Sequence, residues 1–130
     1  MTPDSPPHGI DHSPDVFEYM LPDGYLVWAG KTAADNDRLS LKVASGNDWW
    51  FHVRGMSGSH VVLFVDGREP SRPTLESAAA IAAWHSKARD GGRVPVSATR
   101  ARYITKPRGA KPGTVAIRKE RVLKVRPELP

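Results

Sequence analysis

The feature that most constrains this chain is a pair of apolar runs on either side of a short Gly/Ser-rich segment. Residues 49–53 are Trp-Trp-Phe-His-Val, and residues 60–65 are His-Val-Val-Leu-Phe-Val. Both runs are rich in the aromatic and β-branched residues that favour strands. The segment Arg54–Ser59 between them contains two glycines and two serines, which is typical of a turn. The stretch therefore predicts a hairpin or two neighbouring strands.

His52 and His60 lie at the two junctions between strand and loop. A buried strand pair is expected to carry apolar side chains there, whereas polar groups held at strand ends by a rigid sheet are a common design of functional sites. The register decides whether the histidines meet. With residue 52 opposite residue 60 they share a face, and with residue 53 opposite residue 60 they lie on opposite faces. The sequence leaves both registers open.

The chain has 130 residues, no cysteine and no apolar run of about 18 residues. This length suits one domain, and the lack of cysteine excludes a disulfide scaffold and thiolate chemistry. With neither a membrane span nor a signal-peptide pattern, we expect a cytoplasmic protein without membrane contact. Residues 1–15 contain four prolines and no sustained apolar pattern, so we expect a disordered leader there.

The net charge of +5 is distributed unevenly along the chain. Residues 1–65 hold four Lys/Arg against eight Asp/Glu, whereas residues 66–130 hold fifteen against six. From Arg100 to Arg126 there are ten basic residues and one acid, Glu120. Such a stretch is typical of a surface that binds a polyanion, most simply a nucleic acid. A solvated basic face that aids solubility is the alternative, because charge alone carries no sequence information.

Local patterns predict one α+β domain with a mixed or antiparallel sheet and two helices, in the order β-β-α-β-β-α-β-β-β. Thr32 is the predicted N-cap of the first helix, which turns Asn36 inward, and Thr74 is the predicted N-cap of the second. The second helix should run to about Ala88, with Trp84 in the core and a glycine C-cap after it. The predicted strands are 16–21, 25–29, 49–53, 60–65, 93–99, 114–117 and 121–125, the last two closing around a turn at 118–120. Residues 102–104 either extend the fifth strand or start another.

Three kinds of site compete for His52 and His60. With Asp48 they offer ligand types that zinc accepts, but neither HxxxH nor HxH spacing is present. They also suit an acid–base pair, although no G-x-S-x-G nucleophile motif accompanies them. In the third interpretation, N–H groups of the Gly55–Ser59 loop form an anion nest, while His52, Arg54 and His60 donate hydrogen bonds to phosphate, ribose or base. We favour this interpretation over histidines with a purely structural role, because it uses every unusual feature.

A second polar loop supports binding. Residues 106–113 are Lys-Pro-Arg-Gly-Ala-Lys-Pro-Gly, in which two prolines and two glycines prevent regular structure. Three cations, Lys106, Arg108 and Lys111, lie on this loop. We expect all three to contact phosphates.

Several separated motifs resemble those of the NFACT RNA-binding domain, NFACT-R. The most specific is Asp48–Val53 followed by Gly58–Leu63. Gly30–Leu39, which includes Lys31 and Asn36, is similar to another family segment. An Ala-rich helix ending in Trp84-His85-Ser86-Lys87-Ala88 and the Gly109-Ala110-Lys111-Pro112-Gly113 loop follow in the family's order. The resemblance covers about residues 16–127.

The resemblance implies binding of tRNA or ribosomal RNA, in a translation or ribosome quality-control context at the large subunit, without a cofactor or a metal. The chain resembles a stand-alone NFACT-R protein, which by itself is not expected to catalyse a reaction. Asp48 would orient His52 or cap the start of its strand. The expected RNA-binding residues are Lys31, Asn36, Asp48, His52, Arg54, Ser59, His60, Lys106, Arg108 and Lys111.

Two alternatives from other classes remain. One is an RNA- or nucleotide-processing enzyme that uses His52 and His60. The other is a protein-interaction module that docks on a ribosomal partner. The sequence does not distinguish tRNA from ribosomal RNA, and it does not indicate an oligomeric state.

Overall fold

A six-stranded antiparallel sheet organises the computed structural model, which describes residues 13–130. Its strands lie in the order β1-β2-β4-β3-β5-β8, and the short β6 and β7 form a separate antiparallel pair. The strands are β1 Val16–Met20, β2 Leu26–Gly30, β3 Trp49–Val53, β4 Val61–Phe64, β5 Val94–Arg100, β6 Ile104–Thr105, β7 Ala116–Ile117 and β8 Arg121–Val125. The predicted α+β class is confirmed. The leader predicted for residues 1–15 lies almost wholly outside the described residues.

Two helices complete the fold. Helix α1 (Ala33–Arg38) follows β2 and continues into one π-helical turn (Leu39–Val43), and helix α2 (Arg72–Trp84) follows β4. Thr32 caps α1 as predicted, because its Oγ accepts from the Asp35 N–H while the Asp35 carboxylate accepts from the Thr32 N–H.

Each face of the sheet carries its own apolar core. Helix α2 covers one face with a row of alanines, which allows close approach to alternate strand residues such as Phe51, Val61 and Val96, all fully buried. The other face holds a smaller core in which Trp50 packs with Leu39 of the π-helical turn and with Ile104 of β6. Each fully buried side chain of this size stabilises the fold by about 1.5–3 kcal/mol.

The register places residue 52 opposite residue 60. Trp50 pairs with Val62 and Phe51 with Val61, so the next step along β3 brings His52 to the level of His60. Their rings lie 5.5 Å apart in an edge-to-face arrangement. Of the two registers that the sequence left open, the one that joins the histidines is therefore the observed one.

Both predicted ends of α2 were wrong. The N-cap is Ser71, not Thr74: its Oγ accepts from the Thr74 N–H at 3.3 Å, and Pro73, which has no N–H to satisfy, fits the first turn. The helix ends at Trp84 instead of Ala88, because the backbone of His85 already departs from helical geometry and the chain turns to pair with Gly58. No glycine caps this end.

Two further expectations also differ from the structure. Trp84 is only partly buried, and the Arg89 guanidinium lies 4.6 Å from its ring centroid. The two closing strands exist, but they do not pair with each other. Strand β7 pairs with the extra short strand β6, whereas β8 pairs with β5, since the side chain of Thr99 holds the carbonyls of residues 118 and 119 across the sheet.

Candidate functional site

An open cleft of about 850 Å³ lies at the end of the sheet where β3 finishes and β4 begins. Four segments distant in sequence form its walls, and His52 lines it between them. These segments are Phe17 with residues 31–36, the loop at 56–59, the turn at 85–89 after α2, and residues 112–114. The two stretches that sequence analysis singled out, 48–65 and 106–113, therefore meet at one cleft.

His60 lies beneath this cleft and is 2 % exposed. Its Nε2 lies 3.1 Å from the carbonyl oxygen of Gly113, which only accepts, so Nε2 carries the proton. Nδ1 then accepts from the Ser40 hydroxyl at 2.8 Å, and Ser40 Oγ accepts from the Trp50 indole N–H at 2.8 Å. The hydrogen-bond partners thus select a single neutral tautomer.

Burial, reinforced by the nearby His52, lowers the pKa of His60 to about 4. The Gly113 carbonyl and the Asp37 carboxylate oppose this shift. His60 is therefore neutral near pH 7 with both ring nitrogens occupied. The structure places this predicted RNA contact in the interior, where it connects β4 to the 106–113 loop.

Asn36 supports the same connection from α1. It points inward as predicted, and its side-chain Oδ1 accepts from the backbone N–H of His60 at 3.0 Å. A Cβ atom at Gly30 would lie 2.1 Å from this oxygen, so only glycine fits there. Asn36 lies at the wall of the cleft, but its oxygen is already engaged with the protein backbone.

Lys106 is the second residue whose surroundings differ from the expectation. Its Nζ donates to Asp37 Oδ2 at 2.8 Å, to the Thr114 carbonyl at 2.9 Å and to the Lys111 carbonyl. The three acceptors use all three ammonium protons, so the amine does not point to solvent as a phosphate contact requires. Lys106 instead holds the 106–113 loop against α1.

Sequence analysis missed Asp37, which is the other half of this anchor. Its Oδ1 accepts from the Gly113 N–H at 3.0 Å while Oδ2 binds Lys106. Gly113 has φ +86° and lies close to Ala33, so a glycine is required there. No local pattern links Asp37 to a residue 76 positions downstream.

Asp48 lies at the far end of β3 from the cleft. Its carboxylate accepts from the backbone N–H of Ser45 at 2.8 Å and of Val65 at 2.9 Å, and it is buried. Of its two expected roles, the structure shows the one in which it caps the start of the strand. It does not contact His52.

Four of the predicted contact residues have exposed cationic side chains. They are Lys31, Arg54, Arg108 and Lys111. Lys31 lies 4.9 Å from the Phe17 ring centroid, and Arg54 Nε is 3.9 Å from the Glu120 carboxylate.

Ser59 and the neighbouring loop are held internally. The Ser59 hydroxyl donates to the Gly30 carbonyl at 2.6 Å, and its N–H donates to the His85 carbonyl at 2.9 Å. A Cβ at Gly58 would lie 2.8 Å from Ser86 Cβ, so the loop packs tightly on the turn after α2. Because the Ser59 N–H already has an acceptor, it is not turned outward as the predicted anion nest requires.

His52 is half-buried and lines the cleft. Burial lowers its pKa, and backbone hydrogen bonds to Gly58 and Val53 partly oppose that shift. Near pH 7 it therefore presents a neutral imidazole, which forms hydrogen bonds without adding charge.

Sequence analysis missed an aromatic group on the opposite wall. The exposed ring of Phe17 stacks on His85 at 4.5 Å between centroids, and the Tyr19 hydroxyl lies 2.6 Å from His85 Nε2. Burial, followed by the charge of Arg89, lowers the pKa of His85. Little in the sequence signals this group, because Phe17 lies among other apolar residues of the edge strand β1 and nothing local marks its ring as exposed.

The cleft has a one-sided charge. Its lining includes three cations, Lys31, Lys87 and Arg89, and two histidines, whereas no carboxylate among the described residues lines it. Within residues 13–130 no group of three His, Asp or Glu side chains is arranged to hold a metal ion. The same part of the chain has no helix long and apolar enough to cross a membrane.

Comparison with known proteins identifies the family. The family described as "NFACT protein RNA binding domain" matches residues 15–119. The Rqc2 homolog RqcH of Bacillus subtilis is 38% identical over 117 residues, which cover 90% of this chain and 20% of that protein. RqcH of Streptococcus suis is 39% identical over 84% of this chain and 20% of its own length. This chain therefore spans about a fifth of the curated relatives it matches.

A solved structure has the same fold. The C-terminal region of the fibronectin/fibrinogen-binding protein from Streptococcus suis superposes with a TM-score of 0.82 and 37% identity, over 92% of this chain and 47% of that one. The extent of both matches leaves no ambiguity about relationship: this chain belongs to the family of NFACT protein RNA-binding domains.

Proposed function

We propose that this domain binds tRNA, or ribosomal RNA at the large subunit, during ribosome quality control in the cytoplasm. The observation that carries the proposal is the charge of the cleft, which is lined by three cations and no carboxylate. A polyanion in the cleft is attracted by these cations and is not repelled by any carboxylate of the lining. The family match and the RqcH relatives support RNA as the polyanion.

The exposed cations provide the phosphate contacts in this proposal. Lys31, Lys87 and Arg89 line the cleft, and the anchored loop presents Arg108 and Lys111 beside it. Phosphate contacts of this type position RNA and make binding salt-dependent.

Neutral groups provide the remaining contacts. His52 donates or accepts a hydrogen bond with ribose or base, and the exposed edge of Phe17 meets an unstacked base. Arg54, an exposed cation directly after β3, lies at the same end of the sheet and adds a phosphate contact. Four further predicted residues support RNA binding without touching the RNA, because their polar atoms hold the walls of the cleft together. They are Asn36, Ser59, His60 and Lys106.

The two other function classes need observations that the site does not supply. An enzyme based on a His52/His60 acid–base pair needs a free ring nitrogen on each, but both nitrogens of His60 are occupied within the protein. The centre of a protein–protein interface is depleted of charged residues, whereas three cations and no carboxylate among the described residues line the cleft.

A binding experiment tests the proposal. Fluorescently labelled total tRNA is titrated with the parent protein and with Lys87→Gln/Arg89→Gln, and the variant should bind more weakly. Its salt slope, the slope of the logarithm of the binding constant against the logarithm of salt concentration, should be smaller in magnitude by about 1.4–1.8, at roughly 0.7–0.9 per lost phosphate contact. The double change Arg68→Gln/Arg72→Gln removes the same charge from the connection after β4 and from the first residue of α2, neither of which lines the cleft, and is the control. Equal slopes for all three proteins would reject the cleft as the RNA site.

Labelled ribosomal RNA fragments, used in the same titration, separate the two RNA classes. Preference for tRNA over a ribosomal hairpin of equal length supports the tRNA assignment. Recovery of ribosomal proteins that persists after nuclease treatment would instead favour docking on protein.

A further inference from the structure

Most of the basic run between residues 100 and 126 lies away from the cleft. None of its ten cations lines the cleft; the anchored loop carries Arg108 and Lys111, and Lys106 is engaged internally. The other seven cations lie outside both the cleft and the 106–113 loop. They are Arg100, Arg102, Arg118, Lys119, Arg121, Lys124 and Arg126.

Three of these seven surround one tyrosine. The guanidinium groups of Arg102 and Arg118 lie 5.2 and 5.6 Å from the ring centroid of Tyr103, and Lys119 Nζ lies 5.7 Å from it. We call Arg102, Tyr103, Arg118 and Lys119 the Tyr103 cluster. None of the four residues lines the cleft.

The backbone holds the Tyr103 cluster in place. The short 3-10 turn Ala101–Tyr103 presents one half, and the connection between β7 and β8 presents the other. The Arg118 N–H donates to the Tyr103 carbonyl at 3.2 Å, and the Thr99 hydroxyl donates to the Arg118 carbonyl at 2.8 Å. Lys119 adopts φ +55°, a left-handed conformation that is uncommon outside glycine. The cations are thus gathered before any ligand arrives.

Their charge is not balanced within the described part of the chain. No ion pair among residues 13–130 involves Arg102, Arg118 or Lys119. Arg102 donates to the neutral side chain of Asn47, and the one neighbouring acid, Glu120, turns away to Ser97 and Arg54. The hydrogen bond from Arg102 lowers the pKa of the Tyr103 hydroxyl. Burial opposes this shift, and the positive charges of Arg102, Lys119 and Arg118 add to it.

We infer that the Tyr103 cluster binds phosphate groups of the RNA held by the cleft, as a second and separate contact. This inference rests on the proposed function. Cations already gathered against an aromatic ring lose little side-chain freedom on binding a phosphate, and two guanidinium groups match its oxygens. Apart from the Tyr103 ring, the cluster has no apolar side chain of the kind that forms the centre of a protein–protein interface.

The distance between the cleft and the Tyr103 cluster sets how long an RNA must be to reach both. Strand β5 passes the cleft at Ser97, which pairs with His52, and continues through Arg100 to the 3-10 turn that carries Tyr103. Three strand residues span about 10 Å, and Tyr103 lies beyond them. A mononucleotide in the cleft therefore does not reach the Tyr103 cluster, whereas a longer RNA does.

Labelled total tRNA tests this inference with two variants of equal charge change. Arg118→Gln/Lys119→Gln should weaken binding about tenfold or more near physiological salt and lower the salt slope by about 1.4–1.8. Lys124→Gln/Arg126→Gln removes two exposed cations from the same run that also lack an ion pair among the described residues, and should lower the slope by less than about 0.5. Circular dichroism and thermal melting check that both variants are folded.

Each result has a distinct meaning. If both double variants lower the slope equally, the effect is one of net charge and the cluster is not a specific contact. If Arg118→Gln/Lys119→Gln leaves RNA binding unchanged while Lys87→Gln/Arg89→Gln weakens it, the inference is wrong and the proposed function stands; the cluster would then serve another partner, such as an acidic protein. If the parent protein binds no RNA, both fail.

Discussion

At the scale of single residues, the site combines buried polar groups that hold its walls in place with exposed cations that are free to contact a ligand. Sequence analysis selected His52, His60 and Lys106 as equivalent contacts because their types and positions at strand ends and loops are alike. The structure separates them by what surrounds each atom, since His60 and Lys106 already have full sets of partners. Apart from Lys111 and Thr114, those partners lie 20 to 69 residues away in sequence, and no local pattern in the sequence predicts them.

The low pKa of His60 predicts a pH dependence of stability. A histidine with a folded pKa of about 4 binds its proton less readily than the unfolded chain, whose histidines titrate near 6.5. Its contribution is present above the unfolded pKa and is lost as the pH falls from about 6.5 toward 4, up to about 3 kcal/mol. Between about pH 7.5 and about pH 5, urea unfolding should show about 2 kcal/mol of this loss, and His60→Gln should show less of it. An identical loss in parent and variant would contradict the assignment.

Lys106 and Lys111 should respond differently to substitution although they lie five residues apart. Lys106→Met leaves Asp37 without its cation and frees the loop, so we expect a loss of about 1–3 kcal/mol in the free energy of unfolding. Lys111→Gln removes an exposed charge and should change stability by less than about 0.5 kcal/mol, while lowering the salt slope of RNA binding by roughly 0.7–0.9. Denaturant titration and the tRNA assay measure the two effects. Equal stability of the two variants would contradict the anchoring role of Lys106.

At the scale of secondary-structure elements, strands were easier to predict than their ends and pairings. Strands β3 and β8 lie where sequence analysis placed them, because aromatic residues and valine dominate β3, and valine and leucine fill three of the five positions of β8. The start of α2 was misplaced because Ser71 and Thr74 are both good N-caps, and only the backbone shows that Pro73 belongs to the first turn. The pairing of β7 with β6 was not predicted, because β6 has only two residues and so short a strand does not specify its partner.

The contact between the 54–59 loop and the turn after α2 predicts the effect of a single methyl group. Gly58→Ala places a Cβ 2.8 Å from Ser86 Cβ and 3.1 Å from Val53 Cγ1, so the two walls of the cleft must separate. We expect a loss of about 1–3 kcal/mol in stability and weaker RNA binding. Gly92→Ala is the matched control, because its Cβ meets no atom within 4 Å and its φ is not positive. If Gly58→Ala melts at the same temperature as Gly92→Ala, the close approach is not needed.

At the scale of the whole molecule, the order of strands in the sheet separates the acidic and basic halves of the chain in space. The first half of the chain is net acidic and the second half net basic. Since the sheet order is β1-β2-β4-β3-β5-β8, strands of the first half lie together and β5 and β8 form the other edge. The charge balance was readable from the sequence, but its separation across the sheet depends on pairings between distant strands, such as His52 with Ser97.

This separation predicts how RNA association depends on salt. A basic edge attracts RNA before contact, so neutralising charges on that edge should slow association, whereas removing a direct phosphate contact should also speed dissociation. In stopped-flow binding of labelled tRNA, Lys124→Gln/Arg126→Gln should lower the association rate constant a few-fold at low salt and leave dissociation unchanged. Lys87→Gln/Arg89→Gln should raise the dissociation rate as well, because both residues line the cleft. The difference in association rates should shrink near 1 M salt, where the Debye length is about 3 Å. Faster dissociation of the edge variant would show instead that β8 touches the bound RNA, so that the interface extends across the whole basic edge.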